Sequence, residues 1–218
     1  MRLLDDITEK SLRRYLVRLE NLRRYLPKEG LQLIIEFRKK TDPFNCVVKN
    51  LRITNVAIEF DLYASDQASK NSAIRALIGE YGKLLDERDL GDQTSTVVED
   101  KGKVVNESIR LFNEQRYWEC HETLEQIWRK ETKTEEKAVQ QGMILAASAL
   151  VHAQKNEDDV CLGMIPRALE KLGKWSEPLY YSLDVKELKD MLSRMQETKR
   201  IEYVRLSVGS SSPRVDIT

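Results

Sequence analysis

The chain has 218 residues, of which 41% are hydrophobic and 33% charged, and its formal net charge is +0 at pH 7. This length suffices for one large domain or two small ones. The neutral balance provides no overall field that favours nucleic acid or an anionic membrane. No apolar run reaches the roughly 18 residues that a membrane span requires.

The first ten residues, MRLLDDITEK, carry two aspartates where a secretory signal would carry a basic region and then an apolar run. We therefore expect a cytoplasmic protein with no membrane partner. Three widely spaced cysteines, Cys46, Cys120 and Cys161, form no CxxC pair. This pattern predicts reduced thiols and not a disulfide framework or a zinc-thiolate site.

Residues 12–39 carry two competing periodicities. Leucines between Leu12 and Leu26 recur at helical spacing, whereas residues 15–19 alternate as in a strand. Residues 31–37 also alternate, although the PKEG segment before them favours a helix start. Strand and helix therefore both remain open for this part of the chain.

Residues 47–90 are easier to interpret. Two β-rich runs at 47–53 and 56–62 flank Thr54-Asn55, which predicts a hairpin. Asp66 or Ser65 then caps a helix, and KLLDERDL fits a closing strand. The order is either βαββαβ, which is ferredoxin-like, or αβββα, as in double-stranded-RNA-binding domains. We favour the first.

The basic stretch at residues 13–28, RRYLVRLENLRRYLPK, suggests contact with RNA or with another acidic partner. The alternative is a solvated face of a helix or an edge strand, which is the more frequent meaning of a charge run. If its arginines prove to be paired with nearby acids, the RNA hypothesis loses support.

The polar segment GDQTSTVVED predicts a linker after a small α+β domain at residues 1–92. Helical periodicity follows, and predicts an all-α helical bundle at residues 99–200 and a mobile tail at 201–218. The expected fold class is therefore α+β overall. Predicted helices cover about 104–112, 117–130, 135–156, 158–175 with a break or kink at Pro166, and 185–199.

The predicted second helix of this bundle concentrates aromatic and polar side chains. On a helical wheel, His121 and Glu125 fall within one arc of about 100° with Tyr117, Leu124 and Trp128, which predicts that they lie on the buried face. Trp118 lies at the edge of the arc, Glu122 lies beyond it, and the opposite side takes Glu119, Thr123 and Gln126. The next helix is apolar all round except for a polar line of Gln141, Ser148 and His152.

The pattern FNEQRYWECHETLEQIW, followed by QGMILAASALVHA, resembles the domain-of-unknown-function family 309 over about residues 99–175. The resemblance rests on Phe112, Asn113, Tyr117, Trp118, His121, Glu122, Glu125, Trp128, Gln141, Gly142 and His152. It implies an all-α bundle and no particular activity. Where the family usually has a glycine in its turn, this sequence has Gln115 or Arg116.

Three interpretations of the polar cluster remain open. The first is a hydrogen-bonded core, in which a His–Glu–Gln–His network joins the helices and Glu125 lies near the Trp128 indole as its partner. The second is a zinc or iron site formed by His121, Glu125 and His152, with Glu122 as a candidate general base. The third is a small-molecule or peptide pocket lined by Tyr117, Trp118, His121 and Glu125.

Serine or cysteine nucleophile chemistry is not favoured, because no Ser lies in a GxSxG elbow and Cys120 lies off the polar face. The leading hypothesis is a non-catalytic binding or interaction module, with a small molecule or a protein as its partner. A metal-dependent hydrolase-type enzyme and an RNA-binding protein are the alternatives.

Overall fold

In a computed structural model of the chain, residues 12–91 and 100–209 are described. They divide into two compact units, of which the first holds residues 12–91 and Gln154–Asn156 and the second holds residues 100–153 and 157–209. Residues 92–99 of the predicted linker, the N-terminal residues 1–11 and the last residues 210–218 lie outside the described residues. Among the described residues, no helix is long and apolar enough to cross a membrane.

The N-terminal unit has the βαββαβ order that we favoured. Its elements are β1 (Arg13–Glu20), α1 (Gly30–Thr41), β2 (Val47–Ile53), β3 (Ala57–Ala64), α2 (Gln67–Leu77) and β4 (Leu84–Asp89). All neighbouring strands pair antiparallel in the order β2-β3-β1-β4. This arrangement confirms the ferredoxin-like prediction and resolves the ambiguity of residues 12–39 as a strand followed by a helix.

The core of this unit lies between one face of the sheet and the two helices. Leu33 and Phe37 of α1 and Leu77 of α2 are buried against the sheet residues Val17 and Phe60. The predicted cap of α2 is confirmed, because Asp66 Oδ1 accepts a hydrogen bond from the Ser69 backbone N–H at 2.8 Å. The three cysteines of the chain are free, as predicted, and the structure buries all three.

The other face of the sheet carries ion pairs. Arg14 donates to Asp61 Oδ2 at 2.8 and 3.1 Å, and the Arg52 Nε donates to Glu59 Oε1 at 2.6 Å. Arg18 also lies 3.4 Å from a Glu59 oxygen. Two arginines of the basic stretch are therefore paired with local acids, which counts against the RNA hypothesis.

The second unit is helical, as predicted. Among the described residues its elements are α3 (Lys101–Asn113), α4 (Tyr117–Trp128), α5 (Thr134–Gln154), α6 (Asp158–Leu172), a two-stranded hairpin of β5 (Leu179–Tyr180) and β6 (Leu183–Asp184), and α7 (Val185–Thr198). Of the break or kink predicted at Pro166, the break is absent, since α6 continues through this residue.

Of the tail expected to be mobile, residues 201–209 contact the bundle. Asn113 donates to the Leu206 carbonyl at 2.9 Å and accepts from the Leu206 N–H at 2.7 Å. Leu206 is itself buried, and Val208 forms an isolated β-bridge with Leu183. These backbone partners lie far apart in the sequence, and local composition therefore gave no sign of them.

Candidate functional site

The turn between α3 and α4 sets the start of the motif helix. Gln115 takes a φ of 58°, the left-handed region that favours glycine, so the turn keeps this conformation with a glutamine. Arg116 then binds Glu119 through two hydrogen bonds of 2.5 and 2.6 Å. This carboxylate lies in the first helical turn, where the helix dipole favours negative charge.

The buried face of α4 differs from the predicted one. Its buried residues are Tyr117, Glu119, Cys120, Leu124 and Ile127. His121 and Glu125 lie beside this face, with 27% and 26% of their side chains exposed. The helical wheel therefore placed Glu119 on the wrong side, because this glutamate is buried and its charge is paired with Arg116. The wheel also placed His121 and Glu125 too far inward.

His121 and Glu125 form a local cluster at the surface of α4. The His121 Nε2 lies 3.6 Å from Glu125 Oε1, and the other Glu125 oxygen accepts from Arg129. Burial lowers the pKa of His121 below its usual 6.5, and the Glu125 charge offsets only part of that effect. We therefore expect a neutral imidazole at pH 7.

The second histidine has its own partner. His152 Nδ1 is hydrogen-bonded to Glu157, and about a third of the His152 side chain is exposed. Gln141 and Ser148, the other members of the predicted polar line on α5, are half-buried. His152 is therefore engaged with the start of α6 and does not complete a set with His121.

The predicted metal ligands are not brought together in this structure. Within residues 12–91 and 100–209, no group of three or more His, Cys, Asp or Glu side chains is arranged to hold a metal ion. His121, Glu125 and His152 thus do not form a converging ligand set. Glu122, the candidate general base, is half-buried on α4 and has its own interaction partner.

A more extensive polar network lies around Glu131, in the loop between α4 and α5. One Glu131 oxygen accepts from Lys101 Nζ at 2.5 Å and from Gln140 Nε2 at 3.1 Å. The other accepts from the backbone N–H groups of Thr132 and Lys133 at 2.9 and 3.0 Å. We call Lys101, Glu131, Gln140 and Tyr180 the Glu131 network, since Gln140 also donates to the Tyr180 hydroxyl at 2.7 Å.

The Glu131 carboxylate is held ionised. Burial alone would raise the pKa of Glu131, but the hydrogen bonds from Lys101, from the Lys133 backbone and from Gln140 outweigh it and lower the pKa to about 2. Only 3% of the side chain is exposed. This buried charge therefore ties the start of α3, the α4–α5 loop and α5 together.

Sequence reasoning missed this network. It selected Gln141 as the inward amide, whereas Gln140 is the residue with no exposed surface. Glu131 follows the end of the motif helix and belongs to no periodic pattern. The one sequence signal for the network was the pair of adjacent glutamines, Gln140 and Gln141, in an otherwise apolar helix. The wheel selected Gln141, whereas Gln140 is the buried one.

The aromatic residues of the motif also lie in the packed interior or at its edge. Tyr117 packs edge-on against Phe112, with ring centroids 4.9 Å apart. Trp128 lies under the Lys137 ammonium, 5.5 Å from the ring centroid. The predicted hydrogen bond from the Trp128 indole to Glu125 is absent, because the indole N–H has no partner among the described residues.

A cavity of about 310 Å³ lies at the start of α5, and it is not the pocket predicted from the motif. It is lined by Lys133, Thr134, Glu135, Glu136 and Trp175. None of Tyr117, Trp118, His121 or Glu125 contributes to it. Glu136 already pairs with Lys101 and Lys133, at 2.9 and 3.0 Å.

With the bundle and its polar residues located, the chain can be compared with known families. Residues 105–164 match the family model of the domain of unknown function DUF309. The match confirms the resemblance and covers most of α3, all of α4 and α5 and the first part of α6. No curated protein matches the chain. The DUF309 segment thus contains the motif helix, Glu131 and Gln140.

Proposed function

We propose that this protein is a non-catalytic binding or interaction module, with the polar residues of its DUF309 segment serving to hold the helical unit in one conformation. The observation that carries the proposal is that these charged groups already have local partners. Glu125 is paired with Arg129, His152 with Glu157, and Glu131 with Lys101. Groups engaged in this way support structure, because their lone pairs and protons are already used.

The thiols of the unit fit the same proposal. Cys120 and Cys161 are buried, and burial raises the pKa of Cys161 to about 12 and also raises that of Cys120. Since the thiolate is the nucleophile, both thiols would stay protonated and inaccessible at neutral pH. A cysteine-based reaction is therefore not supported at either position.

The proposal is separated from the metal-dependent alternative by metal binding. Purified full-length protein would be analysed for bound metals and then titrated calorimetrically with Zn²⁺ and Fe²⁺. The matched variants are His121→Ala and His152→Ala. We expect no stoichiometric metal, and no difference between the variants and the wild type.

One equivalent of metal that both variants lose would contradict the proposal and favour the hydrolase-type enzyme. The two histidines belong to different predicted ligand positions. A loss in only one variant would therefore indicate a site other than the one formed by His121, Glu125 and His152.

A further inference from the structure

One end of the N-terminal unit exposes several large aliphatic side chains together. Their exposed fractions run from 47% for Leu26 to 77% for Leu31. Single exposed aliphatic residues are common on soluble proteins, whereas several on one surface mark a contact site. We name these residues the apolar end patch: Leu22, Leu26, Leu31, Ile35 and Val56.

Hydrogen bonds from Asn21 hold two parts of the patch together. The Asn21 backbone N–H donates to the Val56 carbonyl at 3.0 Å, and its side chain donates to the Thr54 carbonyl at 2.8 Å. The same side chain also exchanges hydrogen bonds with the Tyr25 backbone at 2.8 and 2.9 Å. The loop that carries Leu22 and Leu26 is therefore fixed against the hairpin that carries Val56.

The first two turns of α1 complete the patch. Leu31 and Ile35 are four residues apart, so they share one helix face, and they point away from the buried Leu33. The helix start lies over the end of β2, since a Cβ added at Gly30 would be 3.7 Å from the Leu51 side chain. Glu29 fixes the loop to this start by accepting from the Leu26 N–H at 2.7 Å.

Basic side chains surround the patch. Arg23, Arg24, Lys28 and Lys39 are exposed, and Arg23 lies close enough to Glu80 for its charge to help lower the pKa of that carboxyl. The nearby Glu29 and Glu36 accept local hydrogen bonds and keep their negative charges, but the four basic side chains outnumber them. The neutral net charge of the whole chain therefore conceals a local surface that is both apolar and positive.

A partner for this surface must be apolar and negative. A second copy of the chain would bring the same positive charges, and a stable dimer needs about 800 Å² from each partner, more than five half-exposed aliphatic side chains supply. RNA would leave the aliphatic side chains unused, because single-stranded bases stack on aromatic rings. An amphipathic helix requires a groove, whereas these side chains project outward.

We propose that the apolar end patch docks on an anionic phospholipid bilayer. In this arrangement the aliphatic side chains enter the boundary between headgroups and acyl chains, and the basic side chains lie against the lipid phosphates. The proposal goes beyond the proposed function, because it concerns the N-terminal unit and uses no residue of the DUF309 segment.

The test is co-sedimentation of the full-length protein with vesicles of phosphatidylcholine, with and without phosphatidylserine. We expect binding to the vesicles with phosphatidylserine that weakens as salt is added. The double variant Leu22→Gln with Leu31→Gln should lower the partition coefficient by about tenfold or more. Arg23→Gln and Arg24→Gln should each lower it by about fivefold.

Val160→Gln is the matched control, because Val160 is 46% exposed on a helix of the other unit. It should leave the partition unchanged, and thermal unfolding should show that every variant is folded. Absence of binding to phosphatidylserine vesicles would overturn the proposal. So would equal losses in the control and patch variants, or a dimer seen by light scattering that Leu31→Gln alone dissociates.

Discussion

Replacing Glu131 with glutamine is expected to destabilise the helical unit by about 3 kcal/mol at pH 7. The magnitude follows from the folded structure, in which the Glu131 pKa falls from its ordinary 4.5 to about 2. Lowering a carboxyl pKa by 1 corresponds to about 1.4 kcal/mol of additional stabilisation of the ionised form in the folded protein. Glutamine keeps the size of the side chain but turns an amide toward the donors of Lys101 and Gln140.

The pH dependence supplies a second signature. A carboxyl group with a lowered folded pKa stabilises the protein above its unfolded pKa, and that contribution is lost as the pH falls through the folded pKa. For Glu131 the loss extends from about pH 4.5 down to about pH 2. The difference in stability between wild type and Glu131→Gln should therefore narrow over this range.

Urea unfolding followed by tryptophan fluorescence measures this difference. All three tryptophans, Trp118, Trp128 and Trp175, lie in the helical unit, so the signal reports that unit alone. Glu177→Gln, at an exposed position, is the control and should change stability by no more than about 0.5 kcal/mol. The reasoning would be refuted if Glu131→Gln behaved like this control, or if its effect were the same at pH 7 and pH 3.

Two further predictions use the same unit. Gly142→Ala should destabilise it by about 1–3 kcal/mol, because a Cβ at Gly142 would lie 2.6 Å from the Leu172 Cγ. In Gly163→Ala the new Cβ meets no atom within 4 Å, so this variant should stabilise α6 by up to about 1 kcal/mol. Urea unfolding of the pair checks this, and stabilisation by both would contradict the close approach of α5 and α6. Glu125→Gln should lower the His121 pKa further, because the carboxylate favours the charged imidazole. NMR titration of the His121 ring measures this pKa, and a higher pKa in the variant would contradict the expectation.

Periodicity predicted several elements of this chain to within a few residues of their observed bounds. The helix at residues 117–130 is observed as Tyr117–Trp128, and that at 135–156 as Thr134–Gln154. The β2–β3 hairpin followed from alternating residues and its short turn. In each of these segments the local pattern and the tertiary environment agree.

The segment 31–37 could not be assigned because both of its faces are aliphatic. Leu33 and Phe37 point into the core, while Leu31 and Ile35 are 77% and 52% exposed. The two exposed residues produce the alternation that is typical of a strand. A contact surface on a helix thus disturbs the pattern from which the helix would be predicted.

The Glu131 network could not be predicted, because its members come from distant parts of the chain. Lys101 lies 30 residues before Glu131, and Tyr180 lies 40 residues after Gln140. Helical periodicity tells which face of one element is buried, but not which polar groups of other elements meet there. The wheel for α4 failed for a related reason, since the burial of Glu119 depends on Arg116 outside the helix.

The basic stretch at residues 13–28 has two parts whose arginines lie in different surroundings. Arg14 and Arg18 lie within β1, where the neighbouring strand β3 presents Asp61 and Glu59 to them. Arg23 and Arg24 follow the end of the strand and are exposed, and the charge of Arg23 helps to lower the pKa of Glu80. Removing one member of a buried ion pair strongly destabilises a protein, whereas substituting an exposed surface residue changes its stability little. The half of the stretch beyond β1 is therefore the more exposed half, and it is the half that borders the apolar end patch.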